Sequence, residues 1–336
     1  MKPIQLDGSA GGGQMLRSAL TLAMVTGKPF RMTNIRGKRR KPGLMRQHLT
    51  CVRAACEISD GTADGAEIGS TELVFRAGEV RPGSYQFAIG TAGSTGLLLQ
   101  TLLPALWLAD GQSELRLSGG THNPLAPPFE FLDRVYLPAV ARMGARAELE
   151  LLETGFAPVG GGSIICRVQP CESLQAIEIA ERGGLLSSSI RVPLRHLPVA
   201  IGGRILNAAE KAFPCGDVSV EMREPGPGRG VACLVEARFE HGTEMTCSFG
   251  EQGVSAEKVG RRAGKLMNDF VGSQAAVGRH LADQLLLPMA LAGKGLFTTT
   301  APDDHLPTNI AVIRAFLDIS FRVTERSGGV WEIETE

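Results

Sequence analysis

The sequence predicts an α/β protein in which one β-α-β-α-β-β unit occurs three times, with a smaller α/β domain inserted before the last copy. Three observations predict it. Three leucine-rich helical runs resemble one another in how they start, repeat and stop. Each is followed by a short strand, a proline-containing loop and a second amphipathic helix. One stretch, about 182–273, breaks that pattern with a strand–helix alternation of its own. The large domain is therefore expected over 1–181 and 274–336, with copies at about 1–80, 81–178 and 275–336, and the inserted domain over 182–273.

In the first copy a strand-like run enters the glycine cluster DGSAGGGQ, Asp7 to Gln14. GGGQMLRSALTLAMVTGKPF then reads as a helix that stops at a glycine. The strand PFRMTNIRG, the loop RKPGLMRQ, the helix LMRQHLTCVRAACEIS and a strand pair in AEIGSTELVFRAGE complete the unit. In the second copy the helix is TAGSTGLLLQTLLPALWLADG, the strand SELRLSGG and the loop THNPLAPPFE. The helix PFEFLDRVYLPAVARMG and the strands ARAELELLE and GGSIICRVQ follow.

The inserted stretch reads as SSIRVPLR, the helix IGGRILNAAEKAF, three strands (VSVEMRE, VACLVEARFE, TEMTCSFGE) and the helix SAEKVGRRAGKLMNDFVG. Its EPGPGRG segment is a strong turn signal. The third copy runs HLADQLLLPMALAGKG, GLFTTT, APDDHLPTNI, PTNIAVIRAFLDI and the strand pair SFRVTERSGGVWEIE.

Composition narrows the function. Thirty-five basic residues balance 35 acidic ones, so an anionic partner must be held by a local patch. Aromatics are 5% of the chain, too few for base stacking to dominate binding. Seven cysteines with no CxxC pair argue for buried thiols rather than disulfides or a zinc site. There is no charged leader before an apolar core and no apolar run of membrane-spanning length, so a cytoplasmic protein without membrane contact is expected.

Equivalent loops of equivalent units should face one cleft, and that is where chemistry is expected. His305, in TTAPDDHLPTNIAVI, stands before a helix and beside Thr308 and Asn309. Its imidazole suits a base, ligand or nucleophile, while a plain helix cap explains Asp304 or His305 as well. Asp303 and Asp304 suit orientation of that imidazole or compensation of the helix dipole. Arg36, Lys38, Arg39, Arg40 and Lys41, extended by Arg46, form the obvious anion patch.

DGSAGGGQ offers backbone N–H groups at a helix start, yet it matches neither the Walker A order nor the G-x-G-x-x-G fingerprint. Arg17 lies one turn further on. Gln100, on an apolar helix face, needs a polar partner. Asp283 and Gln284 read first as helix-capping residues. The second glycine triplet, Gly160 to Gly162, lies between strands and reads as a turn.

Taken together, LDG…GGGQMLRSAL, RKPGLMRQHL, AIGTAGS, LLLQTLLPAL, SGGTHNPLAPP, GFAPVGGG and HLADQLLLPMALAGKG leading to HLPTNIAVI resemble the RNA 3′-terminal phosphate cyclases along the whole chain. The resemblance implies three repeated α/β units with an inserted smaller domain. It also implies a reaction in which ATP adenylates a histidine, AMP passes to an RNA 3′-phosphate, and the neighbouring 2′-hydroxyl closes a 2′,3′-cyclic end. By motif position His305 is the adenylated nucleophile. Gln100, Pro127, His280, Leu281, Ala282, Asp283 and Gln284 match the family's ATP-binding positions. Arg17, Arg36, Arg39, Arg46 and Gln47 would neutralise the triphosphate and the RNA phosphate.

ATP and a divalent cation, Mg2+ or Mn2+, are the implied cofactors, and RNA with a 3′-phosphate end the implied partner. Two departures stand out. Ala10 occupies the place of a family glutamate that helps hold the metal, in a loop two residues shorter, so the metal ligands are left unassigned. His280 stands where tyrosine is common. The alternative is a non-catalytic RNA-binding or ribosome-assembly homologue of the same fold, from which the presence of His305 points away.

Overall fold

The computed structural model describes residues 1–303 and 305–335, which leaves Asp304 outside the described residues. The protein is mixed α/β, built around four four-stranded sheets. The first holds β1 (Ile4–Asp7), β2 (Phe30–Thr33), β3 (Thr62–Asp64) and β4 (Leu73–Arg76) in the order β1-β2-β4-β3. α1 (Gly13–Thr26) crosses between the parallel pair β1 and β2, and α2 (Arg46–Ser59) precedes the antiparallel hairpin.

The second sheet holds β5 (Ser84–Ala88), β6 (Ser113–Gly119), β7 (Arg146–Glu153) and β8 (Gly162–Gln169), ordered β5-β6-β8-β7. Its helices are α3 (Thr95–Trp107) and a continuous run of α4 (Phe129–Phe131), a π turn (Leu132–Tyr136) and α5 (Leu137–Ala141). β9 (Ile177–Ile179) comes next.

The stretch that breaks the pattern forms β10 (Leu185–Arg195), α6 (Val199–Ala212), β11 (Asp217–Met222), β12 (Gly230–Phe239), β13 (Gly242–Phe249) and α7 (Ala256–Gly272), with sheet order β11-β10-β12-β13. The last sheet follows α8 (Arg279–Ala292): β14 (Gly295–Thr299), α9 (His305–Phe316), β15 (Phe321–Glu325) and β16 (Trp331–Thr335). Its order is β9-β14-β16-β15, with β9 and β14 parallel.

Local chemistry accounts for the helix ends. α1 and α8 stop at Gly27 and Gly293, whose φ values of 68° and 72° are left-handed and cost glycine nothing. α3 and α7 start at Ser94 and Ser255, whose hydroxyls accept the N–H groups of Leu97 and Lys258.

Two expectations need correction. The hairpin of the first sheet uses Thr62–Asp64, upstream of the stretch assigned to it, because Gly65 and Gly69 both take φ 82° and turn the chain where a strand was expected. The last sheet also has a first strand, β9, that the boundaries expected for the third copy omitted. β9 pairs with β14, so the 182–273 stretch enters between that strand and α8.

One apolar core joins all four sheets, with Leu16 and Leu20 of α1, Leu98 and Leu102 of α3 and Leu285 of α8 all buried. A second core lies between β10–β12 and α6 and α7, around Ile190, Val235, Ile205 and Met267. β12 alternates between them: Val231, Cys233 and Val235 face the second core, Ala232 and Leu234 the first. Arg182 ties the two ends of that stretch together. Its guanidinium donates to the carbonyls of Phe270, Val271, Ser273 and Ala275 at 2.6–3.0 Å and lies between the Phe239 and Phe270 rings. Among the described residues no helix is long and apolar enough to cross a membrane. All seven cysteines are free thiols.

Candidate active site

A cleft of about 1060 Å³ opens where α1, α3, α8 and α9 converge, and β13 and α7 close its remaining wall. Its size suits a small-molecule ligand. The glycine turn supplies one end. Gly12 is the N-cap of α1 and makes no side-chain cap, so nothing from its own side chain covers the first N–H groups. A Cβ there would stand 3.0 Å from the Arg39 guanidinium, and one on Gly13 would overlap the His48 imidazole. The glycines thus let Arg39, His48 and Arg17 pack over the positive end of the helix.

His48 Nδ1 accepts the N–H of Met45, and burial, then Arg17 and Arg36, hold its pKa down to about 3. The imidazole is therefore neutral. Burial also draws Arg17 below its ordinary pKa, but a guanidinium keeps its charge in proteins. Arg36 lines the same cleft and commits one nitrogen to the carbonyls of Lys41 and Gly43, which shapes the basic loop.

His305 opens α9 at another side of the cleft. Its N–H donates to Asp303 Oδ1 at 2.9 Å, so Asp303 holds the helix start and lies beside the imidazole. Asp283 faces the same point from α8. Its carboxylate accepts Gln14 Nε2 at 2.5 Å and Asn309 Nδ2 at 3.3 Å, and Asn309 in turn accepts the Ser18 hydroxyl at 2.8 Å. Burial raises the Asp283 pKa, opposed by the Gln14 hydrogen bond and by the nearby His305. Three helices are thereby locked together under His305. Asp283 and Gln284 lie in the second turn of α8, whose N-cap is Gly278, so capping does not explain them.

Gln100 finds its partner across the cleft: its Nε2 donates to Gln284 Oε1 at 2.6 Å. Both glutamines sit four residues before a proline inside their helix, Pro104 in α3 and Pro288 in α8. Each proline lacks the N–H that would bond the carbonyl four residues back. The pair joins α3 to α8 at the point where both helices lose a backbone bond.

The other expected residues divide. Pro127 and His280 line the cleft. The His280 pKa is lowered by desolvation and by Arg279, which disfavours the charged ring. Gln47 is at the cleft edge and accepts the Ser94 N–H at 3.0 Å, which couples α2 to the start of α3. Leu281 and Ala282 are buried in the core, and Arg46 is exposed outside the cleft wall.

Sequence reasoning missed His48 and the whole wall formed by β13 and α7, including Glu244, Cys247, Arg262 and Leu266. Helical and strand patterns mark which face is apolar, not which neighbour it meets. Glu244 is buried, accepts the Gly278 N–H at 2.6 Å and so fixes the start of α8. Burial pushes the Cys247 thiol up to about 12, which makes it a poor nucleophile. The second glycine triplet is a turn: Gly160 and Gly161 take φ 77° and 75°.

A resident divalent cation fits these residues poorly. Among the described residues no three His, Cys, Asp or Glu side chains converge, and Ala10 in the first loop offers no carboxylate. A cation carried in by a nucleotide would keep phosphate and water ligands instead.

Comparison with known proteins places the chain. The model of the RNA 3′-terminal phosphate cyclase family matches residues 9–323. This chain belongs to the RNA 3′-terminal phosphate cyclase family. Proteins named RNA 3′-terminal phosphate cyclase are close relatives: that of Ectopseudomonas mendocina (strain ymp) is 47% identical over 98% of this chain and 97% of its own length. The Pseudomonas fluorescens Pf-5 protein is 48% identical over 98% and 97%. That of Salmonella paratyphi C is 46% identical over 97% and 96%. Cyclase relatives thus match nearly end to end. A solved enolpyruvylshikimate-phosphate synthase from Acinetobacter baumannii aligns with a TM-score of 0.25 and 12% identity, over 65% of this chain and 56% of its own, and carries no argument.

Proposed function

We propose that this protein converts an RNA 3′-phosphate end to a 2′,3′-cyclic phosphodiester at the expense of ATP. The observation that carries the reading is the meeting of His305 with Asp283, Arg17, Arg39 and the open helix end at Gly12 in one cleft of a cyclase-family chain. In the first step an imidazole nitrogen of His305 attacks the α-phosphorus of ATP. The bond to the β-phosphate oxygen breaks, and pyrophosphate leaves with histidine–AMP behind. An RNA 3′-phosphate oxygen then attacks that phosphorus, breaking the P–N bond and giving an RNA-adenylate. Finally the 2′-hydroxyl oxygen attacks the terminal RNA phosphorus and AMP departs.

The chain's own residues have clear parts to play. Arg17 and Arg39 oppose the charge of the phosphates, and the amide groups at the start of α1 add neutral donors. Asp283 and Asp303 lie beside His305, where a carboxylate favours the cationic phosphoramidate. Gln100, Gln284, Pro127 and the His280 ring line the same cleft, suited to a nucleobase and ribose. A divalent cation would offset charge on the leaving pyrophosphate.

We also infer that the three sheets of like strand order are copies of one unit and that 182–273 is an inserted domain; the shared order and polarity support this.

The test is incubation with α-labelled ATP and Mg2+ or Mn2+. An acid-labile, alkali-stable protein–AMP adduct is expected, lost in His305→Ala. No adduct, or one that survives His305→Ala, supports a non-catalytic RNA-binding homologue instead.

A further inference from the structure

α7 separates two concave surfaces, and its residues sort between them at helical spacing. Arg262, Leu266 and Asp269 face the cleft that holds His305. Arg261, Lys265 and Asn268 face a second groove of about 600 Å³ against α6. Both stripes follow i, i+4, i+7 and differ by one residue, so they lie about 100° apart around the helix. α6 contributes Arg204, Asn207 and Lys211 to the far wall.

The charges in this region are unevenly used. Arg204 is held by Glu257 through two hydrogen bonds of 2.7 and 3.0 Å, and Lys265 by Asp269 at 2.6 Å. Lys211, Arg261 and Arg262 have no hydrogen bond or ion pair among the described residues. A single unpaired surface cation is ordinary. Here Arg261 and Arg262 are adjacent, one on each flank of a helix whose inner side walls the cleft, and Lys211 stands across the groove.

If the 3′-phosphate lies beside His305, as proposed above, the rest of the strand has to leave the cleft. Leaving over α7 means crossing one helix, about 10 Å wide. The groove beyond offers four cations, two amides and one carboxylate, Glu257, which is paired with Arg204 and lies near Arg261. With cations in excess and no aromatic side chain, it suits phosphates and sugars and not base identity. The basic loop on the other rim, where Arg36 is tied to its own loop carbonyls but Lys38 and Lys41 are not, is the competing route, and the test below separates the two.

We propose that α7 and α6 form a track for the RNA backbone upstream of the 3′ end, with Arg262 meeting the strand inside the cleft and Arg261 and Lys211 holding it beyond the rim. This rests on the cyclase reading for the position of the 3′ end, and its test is binding, read without turnover. Labelled 3′-phosphorylated RNAs, a trinucleotide and a dodecamer, are titrated against the wild type and Lys211→Ala/Arg261→Ala over a range of salt.

The variant is expected to lose about tenfold in dodecamer affinity and to show a salt slope shallower by about 1.4, about 0.7 per lost single-strand phosphate contact. Trinucleotide binding and histidine adenylation stay at wild-type levels. Equal weakening of both lengths, or an unchanged dodecamer, overturns the track. So does a length dependence that resides in Lys38 and Lys41 instead. A wild-type chain that forms no protein–AMP yet holds the dodecamer through these residues sinks the cyclase reading and keeps the track.

Discussion

A Cβ on Gly13 would overlap the His48 ring and stand 3.1 Å from Arg17 Nη1. Neither neighbour can retreat easily, because His48 is buried and hydrogen-bonded to Met45. Gly13→Ala is therefore expected to push Arg17 out of line. A displacement of about 1 Å at a reacting group lowers rates by about 100-fold, so histidine adenylation should fall by that order. Stability should fall by about 1–3 kcal/mol, as at other overpacked sites, offset in part because alanine is the better helix former. A variant that adenylates at the wild-type rate would show that the packing over the glycines is incidental. Ala10 carries a second prediction. With Ala10 in place of the family glutamate, metal dependence should be weaker or altered relative to the family, and restoring a Gly-Glu pair there should bring it back. An Mg2+ or Mn2+ titration left unchanged by that insertion removes the idea. The composition of this loop was legible as a strand-to-helix turn. What rests on its glycines was not, because Arg39 and His48 arrive from other parts of the chain.

At the scale of elements, α8 carries His280, Asp283 and Gln284, and its start depends on a residue from β13. Glu244 accepts the N–H groups of Gly278 and Met245, yet burial outweighs both bonds and lifts its pKa to about 7 from an ordinary 4.5. The folded protein therefore holds a proton at Glu244 over a pH range where the unfolded chain has lost it. Stability from this group is fully present below about pH 4.5 and is lost as pH rises through about 7, by roughly 3 kcal/mol at most. Glu244→Gln should abolish that slope. Urea midpoints at pH 5 and pH 8 decide it: if the two proteins lose stability in parallel, Glu244 is not the group responsible. Helix existence was readable from leucine spacing and glycine stops, as in α1 and α8. The Glu244 tether was not, since it joins residues 34 apart in sequence and belongs to two elements that each read as complete.

Across the whole molecule, the same limit explains which part of the architecture stayed hidden. β9 is three residues long and pairs with Gly295–Phe297, beyond the entire 182–273 stretch, so no local pattern links them. The three loops that face the cleft were legible because each follows a short strand and precedes an amphipathic helix. The fourth wall was not, because β13 and α7 read as an ordinary half-buried strand and an amphipathic helix until the sheet is assembled. That assembly has an energetic consequence. Leu234 projects from β12 into the large core while Val235 projects into the smaller one, so one strand is shared by both. Removing side chains from either face should weaken the other. Leu234→Ala is expected to cost about 2–5 kcal/mol, as for other buried leucines. It should lower a single unfolding transition rather than split it, because the two cores cannot separate without exposing β12. Calorimetry checks this directly. One peak in both proteins, shifted down in the variant, is the expected result. Two peaks in the wild type, with only one of them moved by Leu234→Ala, would mean that 182–273 melts on its own.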